Sequence, residues 1–231
     1  MNKFKRLIFI GIFFSSISIL SQNLTVKYRF IKENTIISDY DLNLEKDYSL
    51  FYESGYCFKD IVSRSELIIF KDKSFDIKLF DKVGELNIMT SKPLKLEWII
   101  KKGKKTIGKY NCQQAEVIYK NKKWIAWFTN DLPFQEGPFI FNGLPGLILM
   151  MENDNYRFEL LEIRTLKNEC SPIIGDRKEI SYEKYESLFN SLSKKNDALL
   201  KSLGNLNLKL ETKLESISEK EKKINTLREI L

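Results

Sequence analysis

The sequence predicts a mainly β, or α+β, protein in which a curved antiparallel sheet is followed by carboxy-terminal helices. Short runs of apolar and aromatic residues recur as far as about Ile174, and no helix-length periodic stretch separates them, which argues against parallel βαβ units. From about Asp176 onward, helix-forming residues dominate. With 231 residues and a hydrophobic fraction of 43%, the chain is able to build a substantial core.

The predicted strands follow one another along the first part of the chain. LTVKYRFI alternates from Leu24, and YSLFYESGYCF carries aromatic residues at strand spacing. ELIIF, FDIKLF and LEWII follow, each rich in Ile, Phe or Trp. YRFELLEIRTL is a further strand, and its doubled Leu160-Leu161 breaks the alternation as a β-bulge does.

A β-hairpin is predicted in the middle of the chain. The run AEVIY ends at Tyr119, KNKK forms the turn, and WIAWFT begins at Trp124. Both faces of the second strand carry bulky side chains, so we expect both faces to be covered.

The region after Asp176 has two helical stripes. The first stripe recurs at steps of three and four residues, and Gly204-Asn205 interrupts the pattern. We expect both helices to pack on the sheet; the alternative, a short intermolecular coiled coil, is weakened by Glu221 at an apolar heptad position. The first stripe consists of Tyr182, Tyr185, Leu188, Phe189 and Leu192, and the second of Leu210, Leu214, Ile217, Ile224, Leu227 and Leu231.

The amino end predicts export. Lys3, Lys5 and Arg6 precede an uncharged apolar run from Leu7 to Leu20, which is the pattern of a secretory signal peptide. The alternative, a membrane anchor, needs about 20 apolar residues, more than this run has. Cleavage before Gln22 gives residues 1–21 as signal peptide, 22–175 as an antiparallel β-rich domain and 176–231 as a helical amphipathic region. The expected location is the periplasm or the extracellular space, without a lipid anchor because no cysteine follows the run.

Charge gives little indication of a nucleic-acid partner. The formal net charge of +7 falls to +4 once the three basic residues of the signal peptide are removed. The densest basic stretch, Lys101-Lys102-Gly103-Lys104-Lys105, is predicted to be a solvated hairpin tip whose lysines discourage edge pairing. No nucleic-acid motif accompanies it, so we expect no nucleic acid as partner.

The absence of histidine excludes several chemistries. A chain without histidine has no Ser-His-Asp or Cys-His machinery and no histidine-ligated zinc, so neither a metal nor another cofactor is expected. Cys57, Cys112 and Cys170 form no C-x-x-C pair. One disulfide among the three is plausible in an oxidising compartment, and the sequence leaves all three pairings open.

Residues 143–148 spell GLPGLI, within WFTNDLPFQEGPFIFNGLPGLILMMEND. Upstream lie a Cys-x-x-Ala element at Cys112, an A-W-F-T element at Ala126, and the pair Gly137-Pro138. This stretch resembles the GLPGLI family of exported proteins from Bacteroidota. The resemblance implies an exported, β-rich protein and no established activity.

The chemistry of the hexapeptide favours a structural turn. Pro145 and Gly146 suit the second and third positions of a type II turn, in which Gly146 would have a positive φ, and Gly143 permits a close approach or another turn upstream. The site residues of this structural turn are Gly143, Leu144, Pro145, Gly146, Leu147 and Ile148. We expect a buried corner that feeds a central strand; the alternative is an apolar rim that contacts a partner or lipid.

Carboxylates are the remaining catalytic candidates. Asp131, Glu136, Glu152 and Asp154 flank the motif, and paired carboxylates are able to hydrolyse glycosides or bind calcium. Their turn-like surroundings favour solvated side chains, so no catalytic residue is assigned. The sequence therefore favours a non-enzymatic binding, carrier or assembly protein, with an apolar ligand or an outer-membrane protein as conceivable partner. The alternatives are a histidine-free hydrolase that uses carboxylates and a structural interaction protein that acts through its helical tail.

Overall fold

The structure is a computed structural model that describes residues 24–55, 67–74, 76–83, 86–165, 176–204 and 223–231. The predicted signal peptide, Cys57, Cys170 and the first three positions of the second helical stripe lie outside the described residues. Among the described residues, no helix is both long enough and apolar enough to span a bilayer.

The described chain is mostly β. Its strands are β1 Leu24–Lys32, β2 Thr35–Leu44, β3 Tyr48–Glu53, β4 Ile68–Asp72, β5 Ile77–Val83, β6 Leu86–Lys92, β7 Ile99–Ile107, β8 Tyr110–Tyr119, β9 Lys122–Thr129, β10 Leu147–Glu152, β11 Tyr156–Thr165 and β12 Lys178–Glu179. The helix α1 spans Tyr182–Gly204, and residues 223–228 form a further short helix.

All these strands belong to one large open sheet in the order β12-β6-β5-β4-β3-β2-β1-β11-β10-β9-β8-β7. Neighbouring strands are antiparallel, except that β12 pairs with β6 in parallel. Most connections join adjacent strands, as expected for short antiparallel runs linked by tight turns. The coarse prediction of a β-rich protein is confirmed, and the sheet is mixed because of the parallel β12–β6 pair.

Two local predictions are also confirmed. β8 and β9 form the expected hairpin, and its turn residues Lys120 and Asn121 have φ of 48° and 59°, the left-handed pair that a tight hairpin turn requires. The bulge expected at Leu160-Leu161 is present, because Tyr28 of β1 pairs with Leu160 while Lys27 pairs with Glu162, which leaves Leu161 unpaired.

The predicted hairpin tip at Lys101–Lys105 is wrong. This stretch lies inside β7, at one end of the sheet, and the turn follows at Gly108 and Lys109. Because one side of an edge strand faces solvent, a run of lysines is compatible with β structure there. The register of β7 against β8 shifts between Ile100 and Lys104, so the lysines coincide with a bulge or irregularity.

The core is lined by aromatic side chains from both halves of the sheet. Phe30 of β1 stacks on Phe158 of β11 with ring centroids 4.5 Å apart, and Phe51 of β3 contacts Phe139, which precedes β10. Lys92 of β6 donates to the hydroxyl of Tyr119 on β8 at 3.1 Å, although most of the sheet separates these strands in order.

The helical region closes part of this core. Ser181 accepts the backbone N–H of Lys184 through its hydroxyl and so caps α1, and Tyr185 is buried against the sheet. Tyr182, Leu188 and Leu192 also pack there, as the first stripe predicts. Of the second stripe, the described positions Ile224, Leu227 and Leu231 are all buried in the same core.

Candidate functional site

The hexapeptide ends a loop that joins two neighbouring strands inside the sheet. We call residues 130–146, between β9 and β10, the motif loop. Backbone hydrogen bonds fix its end: the N–H of Leu147 donates to Leu132 at 3.0 Å, and the N–H of Ile148 donates to Glu136 at 2.9 Å. Leu144, Leu147 and Ile148 are buried, whereas Gly143 and Pro145 are exposed. The leucines and the isoleucine of the hexapeptide thus contribute to the core, whereas Gly143 and Pro145 face solvent.

The sequence prediction is wrong for Gly146 but agrees with the structure for Gly143, where a close approach or another turn is expected. Gly143 has a φ of 88°, the left-handed conformation that favours glycine. Gly146 has no positive φ, so the predicted type II turn at Pro145-Gly146 is wrong. Gly146 instead lies against the end of β9, where a Cβ would overlap the carbonyl oxygen of Thr129 and lie 2.6 Å from its carbon. Close backbone approach, which Leu147↔Thr129 pairing imposes, is the reason for glycine here.

A buried ion pair fastens the motif loop to β4. Lys71 is 0% exposed, and its Nζ lies 2.6 Å from Glu136 Oε2 and donates to the carbonyl oxygen of Gly137 at 3.0 Å. A buried ammonium without such partners would be strongly unfavourable. Removal of either member of the pair would leave the other charge uncompensated.

Beside this ion pair, Tyr28 also holds the loop. Its hydroxyl donates to the carbonyl oxygen of Ile148 at 2.6 Å. Burial, and secondarily the nearby charge of Glu136, raises the pKa of Tyr28 well above its usual value. The hydroxyl therefore remains a donor throughout the physiological range, and the start of β10 is held from the side of β1.

A cavity of about 360 Å³ opens beside the ion pair, and we call it the Ser49 cavity. Ser49 is the cross-strand partner of Lys71 in the pairing of β3 with β4. It is 1% exposed, and its hydroxyl has no hydrogen-bond partner among the described residues. The cavity is lined by the turn before and the start of β3, by the end of β4 and by the motif loop: Leu44, Glu45, Lys46, Asp47, Tyr48, Ser49, Asp72, Lys73, Pro133, Phe134, Gln135 and Glu136.

Three of the six charged residues in this lining form ion pairs. Lys73 pairs with Asp47 at 2.5 Å, and a hydrogen bond from Lys73 lowers the pKa of Asp47. Asp72 accepts from the backbone N–H of Ser74 at 2.9 Å. Since Glu136 is paired with Lys71, most carboxylates of the cavity already have partners.

The arrangement suits binding better than nucleophilic catalysis. Activation of Ser49 would require a base within hydrogen-bond reach. The neighbouring Lys71 is committed to Glu136 and to the carbonyl of Gly137. The hydroxyl of Ser49 has no hydrogen-bond partner among the described residues, and Ser49 is one of the residues that line the cavity.

The four carboxylates proposed from the sequence lie in different settings. Glu136 contacts Lys71, Glu152 is at the end of β10 opposite Arg157, and Asp154 is exposed in the turn before β11. Asp131 lines a second cavity. Within the described ranges, no group of three or more Asp, Glu, Cys or His is arranged to hold a metal ion.

The second cavity, of about 620 Å³, lies between the end of β7, the start of β8 and the motif loop. Besides Asp131, it is lined by Lys104, Lys105 and Cys112. Cys112 is 3% exposed, and burial raises the pKa of its thiol, which disfavours the reactive thiolate. It forms no disulfide with a described residue, and the pairing question stays open because Cys57 and Cys170 are not described.

The fold and the motif loop together define a class of protein. Its members have one large β-sheet, and a loop that ends in the hexapeptide is fixed to the core. A family model described as "Protein of unknown function (Porph_ging)" matches residues 116–150. This stretch contains β9, the motif loop and the hexapeptide.

Solved structures give a likeness of fold. The structure of PNGF-II in space group C2 is similar with a TM-score of 0.60 and 18% identity, covering 73% of this chain and 32% of that chain. PNGF-II in space group P21 is similar with a TM-score of 0.62 and 18% identity, covering 73% of this chain and 33% of that chain. The chain therefore spans about a third of the length of these proteins. A comparison with curated proteins finds no match.

Proposed function

We propose that this chain is an exported, non-enzymatic binding protein of the GLPGLI type found in Bacteroidota, located in the periplasm or outside the cell. The pattern of residues 1–21 supports export, and the intact hexapeptide inside the matched stretch supports the GLPGLI assignment. A curved sheet is supported by the contact between Lys92 of β6 and Tyr119 of β8.

One observation carries the binding role: Ser49, whose buried hydroxyl has no hydrogen-bond partner among the described residues, is one of the residues that line a 360 Å³ cavity. Because buried polar groups in proteins are almost always hydrogen-bonded, we take the hydroxyl of Ser49 as support for a polar molecule, a ligand or an ordered water, in this cavity. The size lies within the range of small-molecule sites.

The ligand is a small polar molecule with little net charge. Asp47 of the lining pairs with Lys73 and Glu136 with Lys71 behind the wall, whereas Ser49 and Gln135 carry groups that donate and accept hydrogen bonds. Phe134 and Tyr48 supply apolar surface beside them. This lining suits a polar ligand better than the apolar ligand considered in the sequence analysis.

Ligand-observed NMR with a panel of monosaccharides, free amino acids and nucleosides tests this proposal. We expect at least one class to bind the wild-type chain and to lose binding in Ser49→Leu, which replaces the hydroxyl with an apolar side chain. Ser91→Ala, an exposed serine on β6, is the matched control and should bind as the wild type does. Binding that is equal in Ser49→Leu and wild type, or no binding from any class, would contradict the proposal.

A further inference from the structure

The sheet ends at β7, and the outer side of this strand has no partner among the strands that the structure describes. β7 spans nine residues and pairs on its inner side with β8. The opposite end of the sheet is formed by β12, which has only two residues. Natural proteins usually keep exposed edge strands short, because their unpaired backbone N–H and C=O groups attract another strand. β7 is therefore a long edge whose backbone groups are available to a further strand.

Apolar side chains flank the beginning of this edge. Ile99 is 60% exposed and Ile100 is 49% exposed. Because successive side chains of a strand point to opposite faces, the two isoleucines offer apolar contacts on both faces of the sheet. A strand added beside β7 would cover apolar surface as well as pair with the backbone.

Lysines make the same edge basic. β7 contains four of them, Lys101, Lys102, Lys104 and Lys105. Within the described ranges, Lys101 is the one β7 lysine in an ion pair, with Glu116 at 3.2 Å. Glu116 also pairs with Lys123 of β9 at 3.1 Å, so a single carboxylate is shared between two strands. Lys102 and Lys104 are exposed, and a partner of opposite charge would complement them.

The sequence of β7 argues against a second copy of the chain as that partner. In an antiparallel pair centred on Gly103, Lys102 of one copy would lie opposite Lys104 of the other, and Lys101 opposite Lys105. An in-register parallel pair would also place lysine beside lysine. Like charges directly opposite each other destabilise a strand pair, whereas opposite charges stabilise it. The charge of the edge therefore favours an acidic strand.

The second cavity lies beside the regular part of this edge. Beyond the irregularity between Ile100 and Lys104, residues 104–107 pair with β8 without a further shift. Lys104, Lys105 and Thr106 line the cavity, and Asn130 of the motif loop adds an amide group. With two lysines and one carboxylate, that of Asp131, the lining has a net positive charge. Strand addition gains its specificity from pockets that receive alternate side chains of the added strand.

We propose that β7 is a docking edge for an extended segment of another protein that carries aspartate or glutamate at alternate positions. The segment pairs with the backbone of β7 along residues 104–107, and its carboxylates meet Lys102 and Lys104. One acidic side chain of the segment enters the second cavity. The Ser49 cavity lies at β3, β4 and the motif loop, so this docking edge is independent of the function proposed above.

Peptide binding to the full chain, followed by fluorescence anisotropy, tests the docking edge. The probe is the labelled peptide TEVETEVET, in which glutamate occupies alternate positions, and TKVKTKVKT is its basic counterpart. A third peptide has the acidic sequence with methyl groups on two neighbouring backbone nitrogens, which removes one donor from each side of the strand and keeps the charge. We expect the acidic peptide to bind, the basic peptide not to bind, and the methylated peptide to bind at least about tenfold more weakly. Hydrogen exchange of the β7 amides should slow with the acidic peptide.

Two charge reversals show whether the lysines of β7 are responsible. At low ionic strength, Lys104→Glu should weaken binding of the acidic peptide by about threefold or more. Lys184→Glu changes the net charge equally at an exposed position of α1 and should leave the affinity unchanged.

Three results would overturn the docking edge. The first is that the acidic peptide does not bind. The second is equal affinity of the methylated and unmethylated acidic peptides, which would show attraction of any polyanion by the lysines without strand pairing. The third is a dimer of the chain in analytical ultracentrifugation whose β7 amides are protected from exchange, since a second copy would then occupy the edge.

Discussion

Substitution of the two motif glycines separates backbone conformation from close packing. In Gly146→Ala, the new Cβ would lie 2.6 Å from the carbonyl carbon of Thr129 and 3.0 Å from the backbone nitrogen of Asn130. Neither atom belongs to a flexible side chain, so β9 or β10 must shift. In Gly143→Ala, the atom nearest to the new Cβ is Trp98 Nε1 at 3.8 Å, which is an ordinary van der Waals contact. Only the φ of 88° is unfavourable for alanine there.

These geometries give different magnitudes. We expect Gly143→Ala to lower the free energy of unfolding by about 1–2 kcal/mol, the cost of a left-handed conformation in a residue with a Cβ. Gly146→Ala should cost about 3 kcal/mol or more, because overpacking against fixed backbone adds strain. In a domain of this size the larger loss corresponds to a fall in Tm of about 6–12 °C.

Urea unfolding of both variants measures the difference. Gly108→Ala is the matched control, because Gly108 has a φ of 56° and a Cβ added there would meet no atom of the described residues within 4 Å. It should therefore behave like Gly143→Ala. If Gly146→Ala is as stable as Gly143→Ala, close approach to Thr129 is not the reason for glycine at this position.

Three further predictions concern the ion pair, the buried phenols and processing. Lys71→Met should lower the free energy of unfolding, measured in urea, by about 3–5 kcal/mol, because Glu136 is left with an unpaired charge. Lys73 is exposed, so Lys73→Met should change the free energy of unfolding by less than about 0.5 kcal/mol. Equal effects of the two substitutions would refute the role of the buried pair. The pKa of Tyr119 is raised to about 12, so the folded protein holds this proton more tightly than the unfolded chain does. The free energy of unfolding should therefore fall as the pH rises from about 10 to 12, and it should fall less steeply in Tyr119→Phe. Urea midpoints that decrease equally with pH in the wild type and in Tyr119→Phe would contradict this. Amino-terminal sequencing of protein recovered from its own cell envelope should begin at or near Gln22, and an intact run from Leu7 would disprove cleavage.

The strands are predictable where side chains alternate and turns are short. LTVKYRFI gives β1 directly, and the doubled Leu160-Leu161 locates the bulge of β11. β2 and β6 have no comparable apolar run and escape prediction, because TIISDYDLNL and LNIMTSK mix polar and apolar residues. Their strand structure depends on neighbours on both sides, which local propensity does not encode.

The residues of the Ser49 cavity could not be assembled from the sequence. Lys71 shares the core-facing side of β4 with Ile69, and a charged residue at such a position is a local signal for a buried ion pair. Its partners lie far away, since the carbonyl of Gly137 is 66 residues along the chain. Register and loop placement, which bring Ser49 and Glu136 to Lys71, arise only from the folded sheet.

In the hexapeptide, the burial of apolar residues is predictable from the sequence, whereas a contact that depends on strand pairing is not. Its apolar residues Leu147 and Ile148 indicate burial, and both are 0% exposed. The role of Gly146 was not predictable, because its contact with Thr129 depends on the pairing of β9 with β10.

Locating a ligand on the folded protein is the most direct test of the binding role. Chemical-shift mapping by two-dimensional NMR, with the compound that binds in the ligand screen, reports which backbone amides it perturbs. We expect perturbations concentrated in residues 44–49 and 134–136, around the Ser49 cavity, and their loss in Ser49→Leu. Perturbations confined to residues 104–113, at the second cavity, or spread evenly over the sheet would contradict the binding role of Ser49.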